Sequence, residues 1–315
     1  MGTPTSWPEA AASPTVYRRW LWPSLSLPGV LWLIVLFVVP FYAVLAVSLG
    51  TVDPILFQPV PIWNPLEWNV GWLQEALQRL APGGIWFDVG IRTIVYVVLS
   101  LALCLLIGYP VAYYTARHAG RWKGLILILI ILPLWISYMM RMLAWVNLLQ
   151  ADGYINRFLM FTHVLSQPRD WLGGNSSTVI FALVYGYIPY LILPLFASLD
   201  RIERSHVEAA RDLGASPWSA FRTVTLPLSK TGILGGAVLI TLPMFGDYYT
   251  PNIVSMSPKT SMIGNQIDLY FHGGPQPTLG AALTIILAVF LTFLMAYYIW
   301  SIHRAQRDVG AVGAV

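Results

Sequence analysis

Six stretches with little or no charge, each about as long as a bilayer crossing, alternate along the chain with polar segments. A helix needs about 20 mainly apolar residues to span the hydrocarbon core. The pattern therefore predicts membrane helices over residues 28–50, 93–116, 124–150, 178–199, 231–255 and 279–303. Two of them carry an internal charge, Arg141 in the third and Asp247 in the fifth. The first apolar stretch is longer than the roughly 7–15 residues of a secretory signal core, and it is read as a true span. Residues 1–27 and 305–315 then form terminal tails around a transmembrane domain at 28–304. The fold expected is all-α, a polytopic membrane protein with six transmembrane helices.

The basic residues orient it. With the N-terminus inside, twelve Lys and Arg lie on the cytoplasmic side, and only Arg79, Arg92, Arg157, Arg169 and Lys259 lie outside. That positive-inside bias puts both termini in the cytoplasm. In the first outer loop Leu73, Leu77 and Leu80 recur at helical spacing, and Trp63, Trp68, Trp72 and Trp86 stand nearby. They predict a short helix over 67–80 lying on the outer membrane surface.

Composition narrows the class. Of 315 residues, 57% are hydrophobic and 10% charged, against about 25% charged in a typical soluble domain. A disordered chain and an ordinary water-soluble enzyme are excluded. The net charge of +4 is too small and scattered for a nucleic-acid surface. The lone cysteine, Cys104, sits among leucines as a packing residue, so no internal disulfide forms. No catalytic constellation appears: there is neither an HExxH nor a GxSxG, and the five histidines lie apart, which predicts no metal site. There is no GxxxxGK[ST] loop either, so any ATP used must be bound by a partner.

The most informative segment is the cytoplasmic loop at 200–230, with five basic and four acidic residues. Ser205 followed by Glu208 predicts a capping box that opens a helix through Leu213. Gly214 ends that helix. Ser216 and Pro217 open a second helix, which Pro227 stops.

Glu208-Ala209-Ala210, Gly214 and Leu226-Pro227, with Val224 between, resemble the EAA loop of binding-protein-dependent ABC importer permeases. The family usually has Ile at the position of Val224. Arg141 with Trp145, Gly153-Tyr154-Ile155-Asn156, Tyr187, Pro189, Pro194 and Ile263-Gly264-Asn265 are similar to spermidine/putrescine-type permeases of that family. The resemblance implies a bacterial inner-membrane permease subunit working by alternating access. Its partners would be a dimer of ATP-binding subunits, a second permease subunit that is a different chain, and an external solute-binding protein. Glu208, Ala209, Ala210, Gly214, Leu226 and Pro227 would form the coupling element that docks on the ATPase. The substrate implied is a small cation such as a polyamine.

For such a cargo Asp247, with Tyr248, Tyr249 and Tyr138 as aromatic faces and Arg141 nearby, forms a candidate pathway. Arg141 and Asp247 are alternatively a buried ion pair. A secondary transporter or channel independent of ATP is the rival class. It predicts repeated halves with broken midplane helices, and no clear halves stand out in the sequence.

Overall fold

The computed structural model describes residues 21–56, 58–272 and 276–312. The expected tail at residues 1–20 lies outside them, whereas 21–27, assigned above to the tail, are already helical. The first span comprises α1 (Leu21–Leu33) and α2 (Val39–Ser48), joined by a π-helical turn at Ile34–Val38. A two-stranded ribbon follows, β1 (Thr51–Val52) antiparallel to β2 (Pro59–Val60). In its turn the backbone N–H groups of Leu56 and Ile55 donate to Asp53 and hold that carboxyl below the usual range.

The helix expected over 67–80 is shorter than predicted. Residues Pro65–Glu67 form a 3₁₀ turn, and α3 runs over Gly71–Leu80. Most of its apolar face packs on protein, while Leu77 stays exposed. Ala76 is fully buried, and Trp72, Leu73 and Leu80 pack with Trp86, just before the second span, and with Leu279 and Leu283 of the last span. Burial against protein removes that face from water as completely as lipid would.

The second span is α4 (Phe87–Arg117). The third departs most from expectation. Instead of one rod over 124–150, α5 (Lys123–Ile131) ends in a 3₁₀ turn at Leu132–Trp135, and α6 (Tyr138–Leu149) sets off again. The rods before and after the break meet at 92°. Pro133 supplies no N–H and crowds the preceding turn, and Ile136 and Ser137 take extended ψ, so the helix cannot continue. A short α7 (Tyr154–Phe161) leads to the fourth span, α8 (Ser176–Asp200).

In the loop α9 (Arg204–Asp212) is followed by α10 (Pro217–Ala220), a π turn at Phe221–Thr225 and α11 (Leu226–Leu228). Pro227 therefore does not stop the second helix. Both π turns among the described residues precede a proline, Pro40 and Pro227, by two residues. The carbonyl four residues before each proline lies inside the widened turn, which relieves the clash with the ring. The fifth span, α12 (Lys230–Phe245), leaves α11 at a 58° bend. It ends well before residue 255. After a break at Gly246-Asp247 come α13 (Tyr249–Val254) and α14 (Ile263–His272). The last span, α15 (Pro277–Val312), continues without interruption through most of the predicted C-terminal tail.

Among the described residues, four helices are long and apolar enough to cross a membrane, and six crossings result when each bent pair counts as one. The core lies among α4, α8 and α12, where Tyr96, Cys104, Leu183, Leu191, Leu195, Ile240 and Met244 are buried together. Cys104 is the packing residue expected, its Sγ near the Val184 carbonyl. The α8–α12 seam is tight: a Cβ on Gly232 would stand 2.4 Å from Ser198 Cβ. Gly232 and Gly236 form a small-xxx-small pair, which lets two helix backbones approach closely without water to drive them together.

Cross-links at the helix ends follow an up-and-down course. Lys123 pairs with Asp200 at 2.6 Å, and Tyr109 bonds Ser229 at 2.9 Å, at one end. At the other end Arg92 donates to Ser261 O at 3.3 Å and Tyr96 to Ser176 at 2.6 Å.

Candidate functional site

The loop presents an exposed helix with a defined end. No residue of α9 is buried, and Glu208 and Ala209 face solvent while Ala210 is half-buried. The capping box is not formed. The helix starts at Arg204 with Glu203 at the N-cap, two residues ahead of the predicted cap, and Ser205 Oγ donates to Glu203 instead. No hydrogen bond or ion pair among the described residues engages the Glu208 carboxylate, so it is free for an external partner. Gly214, at φ +87°, ends the helix as predicted. Gly214 N donates to Arg211 O at 2.9 Å and Ala215 N to Ala210 O at 3.1 Å, which is a Schellman termination. A Cβ on Gly214 would meet nothing within 4 Å, so the requirement is conformational and not spatial. Leu213, 90% exposed, and Trp218, 70% exposed, flank this end. Ser216 caps α10 by accepting from Ser219 N at 3.2 Å, as expected. Leu226 and Pro227 lie half-buried in α11 behind the exposed tip.

The second candidate region lies where the broken spans meet. Asp247, 6% exposed, occupies the gap between α12 and α13. Its Oδ2 accepts from the Tyr138 hydroxyl at 2.6 Å, from Thr250 Oγ1 at 2.7 Å and from the Tyr187 hydroxyl at 3.3 Å. Its Oδ1 accepts from Thr250 N at 3.0 Å. Arg141, one turn along α6 from Tyr138, is 4% exposed. Its guanidinium lies 5.3 Å from the Tyr138 ring centroid, and Nη1 donates to Gly186 O at 3.3 Å. The buried ion pair between Arg141 and Asp247 does not form, and no described carboxylate pairs with Arg141. Tyr138 stands between the two charges, presenting its face to the cation and its hydroxyl to the anion. Gly186 makes room for that ring, since a Cβ there would come 2.7 Å from Tyr138 Cε2.

Two residues at this carboxylate, Tyr187 and Thr250, were not placed there by sequence reasoning. Thr250 follows Asp247 by three residues, the spacing of a helix-opening cap, and that signal was available. Nothing in the pattern brings Tyr187 to it. Tyr248 and Tyr249 stack on each other with centroids 4.2 Å apart, and Tyr249 is 42% exposed. They flank the break, while Tyr138 and Tyr187 supply the hydroxyls bound to Asp247.

Residues singled out by resemblance hold the broken backbone. Asn265 Nδ2 donates to Tyr248 O and to Asn252 Oδ1, both at 2.8 Å, while its Oδ1 accepts from Met262 N at 2.7 Å. Gly264 packs directly on the break, because a Cβ there would lie 2.7 Å from Gly246 O. Asn156, fully buried, ties the end of α6 to the segment before α8. Its Nδ2 donates to the carbonyls of Gln150, Ala151 and Arg169, and its Oδ1 accepts from Arg169 N and Trp171 Nε1.

A helical multi-pass protein whose broken spans converge on buried polar groups, with a free helical loop at one end, defines a membrane transport subunit. Residues 104–305 match the binding-protein-dependent transport system inner membrane component family, and the chain belongs to it. It is 33% identical over 284 residues to the spermidine/putrescine transport system permease protein PotB of Haemophilus influenzae, covering 88% of this chain and 91% of that one. Identity to PotB of Escherichia coli is 31% over 223 residues, covering 71% and 79%. The fold is similar to a bacterial ABC transporter involved in the import of alginate, with TM-score 0.62, 17% identity, and coverage of 92% and 96%. The chain is thus a multi-pass inner-membrane permease subunit of an ABC importer, and the ATP-independent rival is set aside.

Proposed function

We propose that this subunit forms part of the translocation pathway for a small organic cation of the polyamine type. The observation that carries this reading is the 33% identity to a spermidine/putrescine permease along nearly the whole chain. The buried Asp247 carboxylate, ringed by tyrosines, fits it chemically, since aromatic faces and a carboxylate suit ammonium groups. Energy comes from a separate dimer of ATP-binding subunits, which dock against Glu208, Ala209, Ala210 and the Gly214 turn. Leu226 and Pro227 back that tip and carry its motion into α12. A second permease chain completes the pathway, and an external solute-binding protein delivers the cargo. Both termini face the cytoplasm, and the Asp247 break lies toward the outer side.

Uptake of radiolabelled spermidine into proteoliposomes holding the subunit with its permease partner, ATPase and binding protein tests the reading. Uptake should require ATP and the binding protein. Asp247→Asn should leave the amount of assembled protein unchanged and cut uptake about ten-fold. Wild-type uptake by a well-assembled Asp247→Asn complex would refute the role given to Asp247. Failure of the native complex to move spermidine or putrescine would refute the substrate class.

A further inference from the structure

Arg141 is an anomaly in energetic terms. It is a buried cation within a membrane span, and among the described residues it has no paired carboxylate and its Nε has no hydrogen-bond partner. Intramembrane charges are costly and are kept where they act on a pathway. What surrounds Arg141 is what would hold a substrate ammonium: the face of Tyr138 at 5.3 Å, the Gly186 carbonyl, and the Asp247 carboxylate behind the Tyr138 hydroxyl. The guanidinium occupies the place of a cation in a cluster otherwise suited to one. Resting on the reading that the cargo is cationic, we infer that Arg141 is a built-in counter-cation that keeps the closed pathway from passing free cations.

The physical basis is repulsion between like charges. A fixed positive charge within about 6 Å of an entering cation opposes it roughly a hundred-fold at an effective dielectric of about 20. Tyr138 also connects the gate to the backbone. It opens α6 after the 92° bend and bonds the break at Asp247. A rearrangement of either element moves the ring away from the guanidinium and releases the aromatic face to the cargo. Small inorganic ions, unable to drive that rearrangement, meet the positive charge.

Potassium retention by the assembled transporter tests this. Proteoliposomes loaded with K⁺ and carrying the permease pair and ATPase, without binding protein, are followed with a K⁺-sensitive dye. Arg141→Gln and Arg141→Met should each raise K⁺ efflux ten-fold or more, while Arg141→Lys, which keeps the charge, should retain K⁺ as the native complex does. Folded Gln and Met variants that retain K⁺ fully would overturn the inference. So would failure of both to assemble while Arg141→Lys assembles, because that outcome assigns the residue to folding. Loss of spermidine uptake by the native complex would defeat the substrate reading alone, since the K⁺ measurement does not depend on it.

Discussion

The Tyr138 hydroxyl donates to Asp247 Oδ2 across 2.6 Å, joining the first residue of α6 to the gap that follows α12. One hydrogen bond thus ties two interrupted spans. Hydrogen bonds to charged groups contribute roughly 1.5–3 kcal/mol. Tyr138→Phe keeps the ring and loses the donor. It should lower the melting temperature of the purified complex by an amount equivalent to about 2 kcal/mol and reduce spermidine uptake more than assembly. An unchanged melting temperature would show that the bond carries no stability.

Gly186→Ala would put a methyl group 2.7 Å from Tyr138 Cε2. Overpacking of this kind costs about 1–3 kcal/mol. The variant should destabilise the complex by that amount, and Tyr138→Leu in the same chain should recover part of the loss. Thermal melts of the two singles and the double should therefore be non-additive.

Asn156 satisfies three carbonyls and two donors with one side chain. Asn156→Ala strands several of those buried groups, and the loss should reach about 3 kcal/mol. Less folded protein should appear in the membrane fraction, with faster protease cleavage between residues 150 and 171.

For coupling, Gly214→Val places a β-branched residue at φ +87° and costs about 1 kcal/mol or more. Together with Glu208→Ala it should insert normally yet lose co-purification with the ATPase or substrate-stimulated ATP hydrolysis. Normal transport by this double variant would discard the coupling role of the loop.

Topology is open to cysteine labelling, because the native Cys104 is fully buried and gives little background. Substitutions Asp53→Cys and Asp170→Cys should react with a membrane-impermeant thiol reagent on intact cells, and Arg211→Cys only after permeabilisation. Reaction of Arg211→Cys from outside would contradict cytoplasmic placement of the loop.

The sequence alone determined that the chain is helical, where each apolar segment lies, and that Gly214 turns the loop between α8 and α12. These are local matters: burying a backbone in lipid demands helices, and a positive φ favours glycine whatever surrounds it. Only the tertiary structure decided where the helices break and what the breaks bring together. Pro133 and Gly246-Asp247 fall inside stretches read from the sequence as continuous spans, and the 92° turn and the meeting of Tyr138, Tyr187 and Thr250 at one carboxylate involve residues up to 112 positions apart. The same holds for Arg141 and Asp247. Their charges suggested a pair, yet Gly186 opened a space that the Tyr138 ring fills, and packing placed that ring between them. A charge pattern states which groups need partners in a low-dielectric interior, and the shape of the packed helices selects which partners they get.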